Sequence, residues 1–195
     1  MAKDNTTRYI LLGFLSHEPM SGYDMKKRID GTVSQFWSVG YGQIYPTLSG
    51  LEEEGLIEKV LSESSRGPTR NVYAITPSGR EYLKKWLLMP AEKEYVRYEI
   101  LLKLFFGGKL NPETSMQRIE AFRKRYEQDL NLLNLFEGNL KQVMDQDPDH
   151  KNYYVTVRFG QYVYKAYLDW AQEALGMLNA TQNEESEDES HEQNV

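Results

Sequence analysis

The sequence predicts a mainly α chain in two parts, a compact domain of short helices closed by a β-hairpin and a domain of long helices. Three observations carry this expectation. Over the first 88 residues, apolar side chains recur at helical spacing in short bursts. Two β-type runs, 56–62 and 71–75, follow those bursts and flank a polar, turn-forming stretch. Beyond Pro90, apolar positions continue in steps of three and four over long spans, the pattern of a helical seam.

The first helix is expected over 7–17, where Ile10, Leu11, Phe14 and Leu15 share a face and Pro19 follows the stop. Ser21 is an N-cap for a second helix, with Asp24 three residues on in a short form of the capping box. Met25 and Ile29 point inward, and Gly31 closes the helix. A third helix is expected to start near Gly42, with Ile44, Leu48 and Leu51 as its apolar stripe. Pro46 is tolerated in a first turn, where backbone N–H groups have no intrahelical partner. Gly55 is placed to end this helix. After the two β-runs, Thr76-Pro77 caps a fourth helix that reaches about Met89.

The second part opens with an amphipathic helix predicted over 92–106. Asn111-Pro112-Glu113 then starts a long helix to about residue 145, with Ile119, Phe122, Tyr126, Leu130 and Leu133 among its seam positions. Asp147-Pro148-Asp149 breaks the chain, and a last long helix over 150–178 folds back as a hairpin. The expected division is 1–88, 91–180 and a disordered acidic tail, 181–195.

Composition narrows the function. The chain has 195 residues and no Cys, which removes disulfides, thiol nucleophiles and zinc–thiolate sites. No apolar run is long enough to span a bilayer, and the N-terminus lacks an apolar signal core. A cytoplasmic protein is the expectation. The net charge of −6 lies in the tail, where residues 181–195 hold six acids and no Lys or Arg. Residues 1–86 hold 11 Lys+Arg against 10 Asp+Glu, so DNA affinity there requires local placement of cations. The tail reads first as a solubility segment, and second as a competitor with DNA phosphates.

Three helices followed by a two-stranded hairpin make a winged helix-turn-helix, whose third helix enters the major groove. The reading face is expected to carry Gln43, Tyr45 and Ser49, with Gln suited to adenine and Ser to either kind of base edge. Tyr23 and Lys27 on the second helix would brace the DNA backbone, and Arg66, Thr69 and Arg70 would act from the wing. In the last helix, dense aromatics read as core plus a dimer seam through Tyr153, Val157, Tyr164, Leu168, Ala171 and Leu175. The competing view of those aromatics is a pocket that stacks a flat aromatic effector.

The run Ser21-Gly22-Tyr23-Asp24-Met25 together with Tyr41-Gly42-Gln43-Ile44-Tyr45-Pro46-Thr47-Leu48 resembles the PadR-type transcriptional regulators. So do Leu51-Glu52-Glu53-Glu54-Gly55-Leu56-Ile57 and Tyr73-Ala74-Ile75-Thr76-Pro77-Ser78-Gly79. The likeness covers residues 7–88, and the long helices resemble the virulence-activator type of C-terminal domain. It implies a dimeric regulator, usually a repressor, on palindromic double-stranded DNA. The family commonly has basic residues between the two leucines at 48 and 51, where this chain has Ser49-Gly50.

Other chemistries fare worse. Tyr23 and Lys27 have a dehydrogenase-like spacing, but no glycine-rich fingerprint precedes them. His17, His150 and His191 lie in unrelated contexts. No nucleophile–base arrangement, metal site or cofactor motif is expected, and no enzyme. The alternative to a DNA-binding regulator is a protein–protein adaptor that docks through its winged helix.

Overall fold

The structure is a computed structural model that describes residues 3–60, 71–94 and 96–192. The chain divides into two compact units, Met1–Lys93 and Glu94–Val195.

In the first unit, α1 (Lys3–Leu15), α2 (Gly22–Gly31) and α3 (Tyr41–Glu53) pack beside a small sheet and α4 (Pro77–Leu87). The sheet is antiparallel, in the order β1 (Met20–Ser21), β3 (Val72–Ile75), β2 (Ile57–Val60). Met20 pairs with Tyr73, and Ile57 with Ile75. The strand β1 is absent from the sequence reading, because two residues are too few for an alternation to register. The predicted stripes form one core. Leu11, Met25, Ile29, Ile44, Leu48 and Leu51 are wholly buried, joined by Leu15, Ile57 and Leu83. Each such side chain contributes about 1.5–3 kcal/mol of transfer free energy.

Local signals set the helix ends. Ser21 accepts from the Asp24 N–H at 3.2 Å, while its own hydroxyl donates to Asp24 Oδ2 at 2.6 Å. Aspartate is one methylene shorter than glutamate, and its carboxylate takes the cap's hydroxyl. At the end of α3, Gly55 has φ +69°, the left-handed conformation that glycine adopts without strain. Leu56 N–H then reaches Leu51 C=O and Gly55 N–H reaches Glu52 C=O, each at 2.9 Å, a complete Schellman motif. Thr76 caps α4 by accepting from Gly79 N–H at 3.1 Å, with Pro77 at the first helical position.

One boundary differs from expectation with chemical consequences. The helix α3 begins at Tyr41, with Gly40 as N-cap, so Pro46 sits in its second turn. The hydrogen bond that residue 46 would give to the Gly42 carbonyl is therefore missing.

The second unit holds α5 (Glu99–Phe105), α6 (Pro112–Val143) and α7 (Asp149–Glu192). The helix predicted from residue 92 starts seven residues later, with Tyr98 extended at its N-cap. Val96 and Tyr98 are weak helix formers, and the Tyr98 hydroxyl bonds that of Tyr167 at 2.5 Å. Asn111 caps α6 by accepting from Glu113 N–H at 2.9 Å. The helices α6 and α7 run antiparallel as a hairpin around Ile119, Leu133, Tyr164 and Ala171. The tail expected to be disordered from residue 181 instead continues α7 through Glu192. Extending a formed helix costs far less than starting one, and Glu and Gln are good helix formers.

Candidate nucleic-acid interface

Position around α3 decides what this helix can offer. At about 100° per residue, the buried stripe Ile44, Leu48, Leu51 leaves Gly42, Pro46, Ser49 and Glu53 on the outward crest. All four crest residues are exposed, and the first three are small. Larger side chains stand on the two flanks. Tyr41 and Tyr45 rise on the α2 side, and Gln43 and Thr47 lie half-buried toward α1. A helix with a low crest can approach a groove floor closely, and its flanks then meet the groove walls.

The flank next to α2 rests on a close approach between helices. A Cβ at Gly22 would stand 2.8 Å from Tyr45 Cε1 and 3.2 Å from Leu48 Cδ1, so glycine is required for Tyr45 to lie there. Tyr23 and Lys27 are exposed on α2. The flank next to α1 is a shallow groove of about 330 Å³ lined by Thr7, Arg8, Gly42, Gln43, Pro46, Thr47 and Gly50. Here Gln43 Oε1 accepts from the Gly40 N–H at 3.2 Å and caps the helix, and Thr47 donates to the Gln43 carbonyl at 2.6 Å. Gln43 and Tyr45, expected on one face, thus lie on opposite flanks, and part of Gln43 is spent on the cap. Ser49 is exposed at the crest and donates to Glu53 Oε1 at 3.3 Å.

Several cations of this unit face acids. Arg28 meets Glu18 at 2.9 Å, Lys59 meets Glu52 at 2.9 Å, and Lys26 meets Asp30. Arg8 forks onto Glu54, and this hydrogen bonding raises the Arg8 pKa and lowers that of Glu54. The wing residues Arg66, Thr69 and Arg70 lie outside the described residues. Sequence reasoning passed over Tyr41 and Lys26. The one available signal was the Tyr41/Tyr45 spacing of four, which puts both rings on one flank.

Of the six side chains expected to form a dimer seam, Tyr164 and Ala171 are buried within the chain, and Val157, Leu168 and Leu175 are half-buried. Their spacing makes them the hairpin's own seam toward α6, and Tyr164 packs 5.0 Å from Tyr126. Tyr153 is exposed. At the same seam Gln161, only 2% exposed, donates to Asn134 Oδ1 at 2.8 Å and to Glu137 Oε2 at 2.9 Å. Among the described residues no helix is long and apolar enough to cross a membrane, and no acidic or histidine cluster has metal-binding geometry.

These elements define a winged helix-turn-helix protein whose chain continues into a long helical hairpin. Residues 11–85 match the transcriptional regulator PadR-like family, and residues 96–179 match the virulence activator alpha C-terminal family. The negative transcriptional regulator PadR of Bacillus subtilis is 27% identical over 180 residues, covering 88% of this chain and 97% of that protein. Its structure with operator DNA superimposes with a TM-score of 0.76 at 27% identity, covering 89% of this chain and 99% of that one. The same protein with p-coumaric acid gives 0.68 at 25% identity, covering 92% and 98%. The structure of smu.1604c from Streptococcus mutans gives 0.75 at 31% identity, covering 87% and 98%. The chain belongs to the PadR-like family of transcriptional regulators.

Proposed function

We propose that this regulator is a cytoplasmic homodimeric repressor that binds double-stranded DNA and works by occupancy rather than catalysis. DNA contact resides in residues 1–88 and dimerisation in residues 91–180. The observation that carries this reading is the crest of α3, where Gly42, Pro46 and Ser49 stand low between taller flanks. Such a helix enters a major groove with Ser49 at the base edges and Tyr45 at a wall. Tyr23 and Lys27 brace the backbone from α2, and Arg66, Thr69 and Arg70 reach it from the wing. The B. subtilis relative, solved with operator DNA and named a negative regulator, supports both the target and the sign.

Two further features fit the same role. On α7, Val155, Phe159 and Tyr162 form an exposed apolar stripe, which a second copy of the chain would cover. Dimer symmetry would then set two copies of α3 about one helical turn of DNA apart. An effector of the small aromatic acid class is supported by the relative solved with p-coumaric acid. Its chemistry suits the second unit, where Phe122, Tyr126, Tyr167 and Trp170 pack edge and face within 4.5–5.6 Å.

The test is an electrophoretic shift with DNA from immediately upstream of the chain's own gene, against a scrambled duplex at two salt concentrations. Retention of the native duplex over the scrambled one, weakening as salt rises, is the expected result. Equal retention of both duplexes would deny sequence specificity, and retention of neither sides with the adaptor alternative.

A further inference from the structure

The helix-turn-helix holds a charged group that neither the core nor the reading face described above uses. Lys26 on α2 is only 9% exposed, in a position where an aliphatic side chain would pack at lower cost. Its ammonium pairs with Asp30 one turn along and sits 5.0 Å from the centroid of the Tyr41 ring. That ring is 56% exposed. A buried cation thus supports an exposed phenol, and the attraction of a partly desolvated ammonium for a ring face fixes the ring's position.

Tyr41 occupies the first position of α3, and Tyr45 stands one turn on along the same flank. The flank that faces α2 therefore carries two exposed phenols in a row, 56% and 54% exposed, with Tyr23 also exposed on α2. Of the cations on α2, Lys26 faces Asp30 and Arg28 faces Glu18, while Lys27 is exposed. Beside Lys27, this flank offers a phosphate neutral donors, and a tyrosine hydroxyl is such a donor.

We propose that Tyr41 is a phosphate-contacting residue of the DNA interface and that Lys26 is its positioning residue. The inference rests on the DNA-binding reading above. A neutral phenol releases no counterion when it bonds a phosphate, so Tyr41 adds affinity without adding salt dependence. Lys26 acts through the ring it holds, and another cation can replace it.

The experiment is fluorescence anisotropy of the full-length chain on the duplex from upstream of its own gene and on a scrambled duplex, over a range of salt. Tyr41→Phe keeps the ring and removes one hydroxyl. It should weaken binding to both duplexes by roughly three- to tenfold, the worth of one hydrogen bond, with an unchanged salt slope. Lys26→Met should weaken binding similarly, and Lys26→Arg should restore it. In the Lys26→Met background, Tyr41→Phe should have little further effect, because the phenol is no longer held in place. Circular dichroism melts of each variant separate loss of fold from loss of contact. A Tyr41→Phe chain that binds as tightly as wild type overturns the proposal. So do fully additive losses, or failure of Lys26→Arg in a chain that melts normally. Failure of the wild-type chain to bind either duplex overturns the DNA-binding reading as well, so the two failures are distinguishable.

Discussion

Tyr45 rests directly on Gly22, with no room for a Cβ between the second and third helices of the DNA-binding unit. The contact makes the reading helix's flank depend on a residue with no side chain. Alanine at position 22 would favour α2 by less than the interior propensity gain of about 1 kcal/mol, because Gly22 is its first residue. Against this stands overpacking at 2.8 Å, which is relieved by swinging the exposed Tyr45 ring aside. Gly22→Ala should therefore change stability by only about 1 kcal/mol while weakening DNA binding as much as Tyr45→Ala, roughly 1–3 kcal/mol. Thermal melts and anisotropy on the same samples check both halves. A Gly22→Ala chain that binds normally would show that Tyr45 does not need its observed position.

A similar contact elsewhere has no such escape. At Gly79, in the first turn of α4, a Cβ would stand 2.0 Å from the Leu56 carbonyl oxygen. That oxygen is fixed in place by the Thr76 N–H at 3.1 Å. The obstacle is hydrogen-bonded backbone, so relief requires moving α4 away from the sheet. Gly79→Ala should cost about 3 kcal/mol, the upper range for overpacking. Denaturant unfolding measures it, and a loss below about 1 kcal/mol would mean that the sheet yields easily.

Much of this was legible from residue order. The stripe Ile44, Leu48, Leu51 and the glycine at 55 specify α3 and its exit, because apolar periodicity and a left-handed cap are local signals. The flanks were not legible. Gln43 and Tyr45 are two residues apart, about 200° around a helix, and which neighbour each meets is decided by tertiary packing. Lys26 reads as a surface lysine until Asp30 and Tyr41 close over it. The α7 seam misled for a related reason. Its heptad-like spacing suits an intrachain partner and an interchain partner equally, and α6 takes that face.

Acid should probe the α6–α7 seam. Gln161, Lys141 and Tyr154 hydrogen-bond the Glu137 carboxylate and hold its pKa down to about 2, from an ordinary value of 4.5. The folded-state value is depressed, so the contribution to stability is present above pH 4.5. It is lost as pH falls from there toward 2. Glu137→Gln removes the titrating group, so its thermal midpoint should fall less steeply across that window than that of wild type. Parallel pH profiles for the two proteins would show that the carboxylate's hydrogen bonds add nothing in the folded state.

The exposed stripe of α7 gives the sharpest test of assembly. Val155, Phe159 and Tyr162 follow the i, i+4, i+7 rule, and each is about two-thirds exposed. The seam toward α6 lies elsewhere on the helix, where Gln161, Tyr164 and Ala171 are buried. A change on the stripe therefore leaves the hairpin's own packing alone. Phe159→Glu places a charge where a second copy would remove it from water, a change that costs several kcal/mol in a buried, unpaired setting. In the free chain the same glutamate stays solvated and suits a helix. The variant should keep its helical circular dichroism but run as a monomer in light scattering at micromolar concentration, where wild type runs as a dimer. Its affinity for operator-containing DNA should fall with it, because one winged helix alone loses the gain of simultaneous binding. A dimeric Phe159→Glu chain would move the interface off this face of α7.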